Sequence, residues 1–267
     1  MQTPLIDIVC RSRKRKDLLL LLAGGGHTFN EIKATLNVTD TGMLPQIKIL
    51  RERGLVERDN DQYKLTTIGK VVVNNIHPAL QTLEVIGNNH DYWKKHDIEA
   101  IPSPLLKRID KLRNCQVILP DLDSMFEPQT ELMEQLPESR FFMRMTSSFH
   151  PEYWKVYTQL IGRNIDTTIV VAPPTFERLR KDFPDDLNAI LASKCLHIFV
   201  CSQTMRIAAC VVTDGTMTLE LFNNNGGYDH EILLSHDDSA IQWGKELVEY
   251  YIDRSQELAP DEYGQQV

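Results

Sequence analysis

Between residues 24 and 70 the chain is cut into short pieces by residues that stop helices, start them or turn strands, and this punctuation leaves room for little except a small helix–hairpin module. Gly24-Gly25-Gly26 ends whatever helix precedes it, because glycine reaches the left-handed conformation a carboxyl-terminal cap needs. Thr28-Phe29-Asn30-Glu31 then has the form of a capping box, with Ile32 and Leu36 as the buried face and Asn37 as the stop. After the turn Val38 to Gly42, Met43, Ile47 and Leu50 recur at helical spacing as far as about Arg53. Pro45 is tolerated only in a first turn, which points to Thr41 or Gly42 as the cap. Gly54 ends that helix. Leu55–Arg58 and Gln62–Leu65 alternate around Asp59-Asn60-Asp61 and read as a β-hairpin. Thr66 or Thr67 caps a longer helix running toward Val85-Ile86.

Upstream, Leu5 to Ala23 reads as one helix that carries the cationic run Arg11–Lys16. Helix, helix, turn, helix, hairpin is the order of a winged helix-turn-helix, whose last short helix enters the major groove of DNA. Thr39, Thr41 and Gln46 lie where side chains reach base edges. Glutamine matches adenine, and a threonine methyl matches that of thymine. Lys48, Arg51 and Arg58 suit phosphates, which position rather than specify. The Arg11–Lys16 run fits either a phosphate contact or a solvated face, and a winged helix can also serve as a protein–protein module.

Net charge is −8, which at first argues against nucleic acid. The charge is uneven, however: residues 1–70 hold 12 Lys and Arg against 8 Asp and Glu, whereas residues 71–267 hold 17 against 29. A cationic head on an acidic body fits DNA contact through the head alone.

The polar stretch 88–103, ending in Ile101-Pro102-Ser103-Pro104, places a domain boundary near residue 100. The expected organisation is a winged helix at 1–75, a linker helix at 76–100 that makes a homodimer, and an α/β regulatory domain at 101–267. Strand-like runs at 116–119, 141–146, 168–172, 196–201, 206–213 and 217–222 alternate with helical stretches at 124–136, 152–163, 175–192 and 238–254. That alternation predicts a mixed α/β sheet, parallel at first and antiparallel toward its end.

This second part shows no G-x-S-x-G, H-E-x-x-H, P-loop or G-x-G-x-x-G, so no catalytic set, cofactor or metal is expected. Asn225-Gly226-Gly227-Tyr228-Asp229 reads as a turn. His150, Tyr153, Asp214, Tyr228 and Asp229 are the candidate contacts for a small-molecule effector. Five scattered cysteines make no C-x-x-C pair and fit reduced thiols, with a redox regulator built on Cys195, Cys201 or Cys210 as one alternative and an enzyme-like domain as another. No apolar run reaches the roughly 18 residues of a membrane helix. The expected location is the cytoplasm.

Thr39-Asp40-Thr41-Gly42-x-Leu44-Pro45-x-Ile47, Leu65-Thr66-x-Ile68-Gly69-Lys70 and Asp91-Tyr92-Trp93-Lys94-x-His96-Asp97 resemble a group of archaeal winged-helix regulators common in methanogens. Ile101-Pro102-x-Pro104-Leu105-Leu106, Phe149-His150-Pro151-Glu152-Tyr153, Val212-Thr213-Asp214, Gly227-Tyr228-Asp229 and Trp243-Gly244-x-Glu246-Leu247 are similar to the domain those proteins share with methanogenesis-regulatory signalling proteins. The resemblance implies sequence-specific binding of double-stranded DNA and a regulatory input domain. Ser147-Ser148 and Asn223-Asn224-Asn225 depart from the pattern, which bears on the input specificity.

Overall fold

The computed structural model describes residues 3–119, 133–134, 136–148 and 153–258. The chain forms two units, residues 1–80 and 81–267. The cut falls inside the stretch 76–100 that the sequence suggested as a linker, and not near residue 100.

In the first unit, α1 (Leu5–Cys10) and α2 (Arg13–Ala23) replace the single helix expected over 5–23. Ser12 breaks it: its backbone is extended and its hydroxyl accepts from the Arg15 amide, an N-cap that competes with helix continuation. Gly24 caps α2 in a right-handed conformation, and Gly25 supplies the positive φ of 144°. A two-residue strand, β1 (His27–Thr28), leads into α3 (Phe29–Leu36). Thr28 and Glu31 form the full capping box, and Asn37 ends α3 in the left-handed region.

Helix α4 (Asp40–Glu52) starts a turn earlier than the proline suggested, with Thr39 as its cap. Pro45 therefore lies inside it. The carbonyl its missing amide would have met belongs to Thr41, which is exposed and open to water. Strands β2 (Val56–Asp59) and β3 (Gln62–Leu65) make the hairpin, and β1 pairs with β3 to complete a three-stranded sheet. Helix α5 (Thr67–Asn88) is joined to this sheet by Thr66, whose hydroxyl donates to the Gly54 carbonyl and accepts from the Gly69 amide. A Cβ at Gly69 would stand 2.1 Å from the Leu55 carbonyl oxygen, so only glycine allows that approach. Leu18, Ile32, Met43, Leu50 and Leu55 are the fully buried centre of the unit.

The second unit is an eight-stranded mixed sheet faced by helices on both sides. After α6 (His90–Lys95) and α7 (Ser103–Leu106) come β4 (Gln116–Ile118), β5 (Phe141–Thr146), α8 (Tyr153–Gly162), β6 (Asp166–Val171), α9 (Pro173–Asp182) and α10 (Pro184–Leu191). Strands β7 (Leu196–Cys201), β8 (Ile207–Thr213), β9 (Met217–Leu221) and β10 (Ile232–Ser235), helix α11 (Asp238–Ile252) and strand β11 (Ser255–Glu257) follow. The order is β11-β7-β6-β5-β8-β9-β10-β4. β5, β6 and β7 are parallel and the remaining pairs antiparallel, as the spacing of the runs predicted.

The helix expected over 175–192 is two, because Phe183 leaves the helical conformation ahead of Pro184 (φ −139°, ψ 51°). The helix expected over 124–136 falls mostly outside the described residues; Leu136–Glu138 is a single 3₁₀ turn. The sequence reading missed β1, β10 and β11. One sheet face packs on α6, α7 and α11, with Trp243 buried and its indole N–H donating to the Leu105 carbonyl. Gly244 lets α11 sit close, since a Cβ there would meet Met217 at 2.6 Å and Val212 at 2.9 Å. The other face packs on α8, α9 and α10 around Phe142, Ile169 and Ile198.

Candidate nucleic-acid interface and input cavity

Helix α4 buries Met43, Ile47 and Leu50 and leaves Thr41, Leu44, Pro45, Lys48, Arg51 and Glu52 exposed. The Thr39 hydroxyl caps the helix at the Gly42 amide and lies 3.3 Å from the Thr41 hydroxyl, so both threonines stand at its start. Lys48 sits 3.9 Å from Glu52, a loose pair in water, whereas Arg51 makes no ion pair among the described residues. Gln46 is half-buried, and its Oε1 accepts from Arg15 Nη1 at 2.8 Å.

Arg15 and Lys14 come from the cationic run at the start of α2. The Lys14 ammonium lies against Gly42, 2.7 Å from where a Cβ would stand, at the amino-terminal turn of α4. The cationic run thus divides by role: Arg11 and Arg13 pair with Asp7 and Asp17, while Lys14 stands at the recognition helix.

The hairpin differs. Arg58 donates to the Asn60 carbonyl and to Asp61, and Lys64 bridges Asp59 and Glu57. The hydrogen bond from Lys64 to Asp59 raises its ammonium above the usual lysine value. Glu57, Asp59 and Asp61 outnumber the two cations, so this wing presents no cationic excess to a phosphate backbone.

In the second unit the effector candidates do not gather at one place. Asp214 lies in the β8–β9 turn, where burial would raise its carboxyl but hydrogen bonds from the Arg140 amide and Nε hold it below the usual range. Asp229 meets buried His96, whose Nδ1 contacts the Tyr92 carbonyl at 2.7 Å and whose Nε2 lies 3.1 Å from Asp229. With Glu231 these two place three potential ligand atoms within 4.8 Å of one another, close enough to share one ion. Lys95, bonded to Glu231, already supplies a positive charge there. His150 lies outside the described residues.

Tyr153 and Tyr228 belong to a buried polar group that the sequence did not single out. Its centre is Arg144 on β5, 3% exposed. The guanidinium lies over the Tyr153 ring, its carbon 3.4 Å from the centroid, and Nη1 donates to the Tyr157 hydroxyl at 2.9 Å. Burial opposes the charge, but Tyr157, Tyr153 and Glu220 more than offset it. Burial also pushes the Tyr153 and Tyr228 phenols well above their usual value. Glu220 accepts from Tyr228. A small cavity of about 20 Å³ opens beside Arg144. The available sign was an arginine in Phe141–Thr146 at the same period-two position as Phe142, aimed at the core.

Cys201 and Cys210 are buried, and burial pushes the Cys210 thiol up, away from a reactive thiolate. Cys195 and Cys201 bracket β7, about 20 Å apart at strand spacing, so they do not form a pair.

Residues 5–87 match the family described as the HVO_A0261 N-terminal domain, and residues 125–254 match the middle domain of the methanogenesis regulatory protein FilR1. The chain is 25% identical over 264 residues to the methanogenesis regulatory protein FilR1 of Methanothrix harundinacea (strain 6Ac), covering 95% of this chain and 58% of that protein. The chain thus spans little more than half the length of this curated relative. TrmBL2, an archaeal chromatin protein whose structure shows a novel mode of DNA binding, aligns over 92% of this chain and 94% of its own at 12% identity and a TM-score of 0.42. Quinone-bound YodB of B. subtilis aligns over 29% of this chain and 86% of its own at 24% identity and a TM-score of 0.27. The two-part resemblance to archaeal regulators read from the motifs is borne out by the two family matches and the FilR1 relative.

Proposed function

We propose that the chain is a DNA-binding transcriptional regulator whose winged helix reads double-stranded DNA and whose α/β unit receives the regulatory signal, without catalysis. The observation that carries this reading is the exposed face of α4, where Thr41, Lys48 and Arg51 stand out from a packed helix and Lys14 lies against its amino-terminal turn. Thr39 and Thr41 face base edges, and Lys48, Arg51 and Lys14 take phosphates. Arg58 is the weakest of the contacts named, being tied to Asp61 within an acidic hairpin.

A two-fold dimer would set two such helices about 34 Å apart, one turn of DNA. Helix α5 is the element that would make it, since Ile68, Val71 and Leu83 are each more than half exposed along it. Titrating the full chain against genomic fragments at several salt concentrations tests the proposal. A linear fall of log affinity with log salt and preference for particular fragments support it; a flat salt response overturns it.

A further inference from the structure

We infer that the α/β unit takes a short aliphatic monocarboxylate, gripped through its carboxylate by Arg144 and lying along Ile169, Val171, Leu179 and Ile198. This rests on the input role proposed for the unit and gives that input a chemical class.

Three observations carry it. First, Arg144 is a buried cation with no carboxylate within ion-pair distance among the described residues, Glu220 favouring its charge only from farther off, and among those residues its Nε–H has no hydrogen-bond partner. A buried charge is normally paired, and a buried donor left unbonded is costly. Nη1 is committed to Tyr157, and the face of the guanidinium is covered by Tyr153. The unbonded Nε–H belongs to the edge that can meet a carboxylate side-on through two parallel hydrogen bonds.

Second, Arg144 borders the cavity, and the cavity offers few other donors. The Thr146 hydroxyl donates to the Ser148 and Ala208 carbonyls, that of Ser148 to the Ala208 carbonyl and that of Thr175 to the Ser147 carbonyl. The remaining walls are the Tyr153 and Tyr157 rings and the aliphatic Ile169, Val171, Leu179 and Ile198. One cationic fork and an apolar wall suit a monoanion with a hydrocarbon tail. Phosphate or sulfate would need more donors than one arginine edge gives.

Third, the cavity is lined by Thr146 at the end of β5, Val171 at the end of β6 and Thr175 in the first turn of α9. Ligands of open α/β sheets bind in the crevice outside the carboxyl ends of the strands. Here β5 has parallel β6 on one side and antiparallel β8 on the other.

The test is calorimetric titration of the full chain with acetate, propionate, butyrate and valerate, each beside its neutral amide, and with inorganic phosphate and sulfate. At least one acid should bind saturably and about tenfold or more tighter than its amide. Arg144→Lys, which keeps the charge and loses the fork, should weaken that acid by about tenfold or more. Leu179→Phe, which keeps Arg144 and narrows the tail region, should shorten the longest acid accepted. The inference is overturned if no acid outbinds its amide, if phosphate or sulfate binds in place of the acids, or if both folded variants bind as wild type does. DNA binding by the ligand-free chain is measured alongside. DNA binding without acid binding overturns this inference and leaves the regulator; acid binding without DNA binding does the reverse.

Discussion

Arg15 holds Gln46: its Nη1 donates to the glutamine Oε1 at 2.8 Å, tying the start of α2 to the middle of the recognition helix. The residue that the sequence marked as an adenine reader is therefore engaged inside its own unit. Gln46→Ala should cost about 1 kcal/mol of stability in chemical unfolding, the scale of one lost hydrogen bond. It should also weaken all DNA fragments alike. A change of preference confined to one base pair would return Gln46 to the role of reader.

Lys14 and Arg51 are the cations of this face free of ion pairs among the described residues. If each meets one phosphate, Lys14→Ala and Arg51→Ala should each reduce the slope of log affinity against log salt by about 0.9. Arg13→Ala, which removes a cation already paired with Asp17, should leave the slope near that of the wild type.

Gly69 allows α5 to approach the Leu55 carbonyl, and Gly244 allows α11 to approach Met217 and Val212. Alanine at either should destabilise, with Gly69→Ala the worse because backbone cannot move aside as a methionine side chain can. About 3 kcal/mol is expected at Gly69, read as a lower denaturation midpoint. An unchanged midpoint would contradict the packing described.

Glu246 is held below the usual carboxylate range by hydrogen bonds from Arg108, against the opposing effect of burial. The folded chain therefore binds this proton less readily than the unfolded chain. The stabilisation is complete above the unfolded value, roughly 4.3, and is lost as pH falls through the lower folded one. Glu246→Gln should thus lower Tm at pH 7 and approach the wild type only once pH has fallen through the lowered folded value, where the native carboxyl is itself neutral. A Tm difference that grows on acidification would refute this.

On α5, Ile68 and Val71 are three residues apart and largely exposed. Val71→Glu should convert a dimer to a monomer in light scattering without lowering helix content. A mass unchanged by the substitution would place the contact elsewhere.

Much of this was readable because local chemistry decided it. The Thr28–Glu31 box, the left-handed Asn37 and Gly54, and the Asn60 turn all act within a few residues. So did the parallel and antiparallel halves of the sheet, which follow from how much chain separates the strands. The misses have equally local or clearly tertiary causes. Ser12 is a cap hidden among cations, and Pro184 splits a stretch whose apolar spacing alone looks continuous. Pro45 misled because Thr41, whose carbonyl loses the bond, is an exposed residue. Arg144 was passed over because nothing in Phe141–Thr146 names Tyr153, Tyr157 or Glu220, which are brought to it by distant parts of the chain. The effector candidates scattered for the same reason.

Strand β11 supplies three residues along the outer rim of β7, aligning Ser255, Gln256 and Glu257 with Cys201, Val200 and Phe199. A rim of unbonded amides and carbonyls is a template for any other chain in extended conformation, including a copy of this one. The short polar strand closes that template from within, and the Glu257–His197 pair adds charge where a foreign strand would dock. A chain ended at Ile252 should keep its helices yet form large particles at concentrations where the intact protein does not. Residues 255–257 would then serve as a guard against self-association.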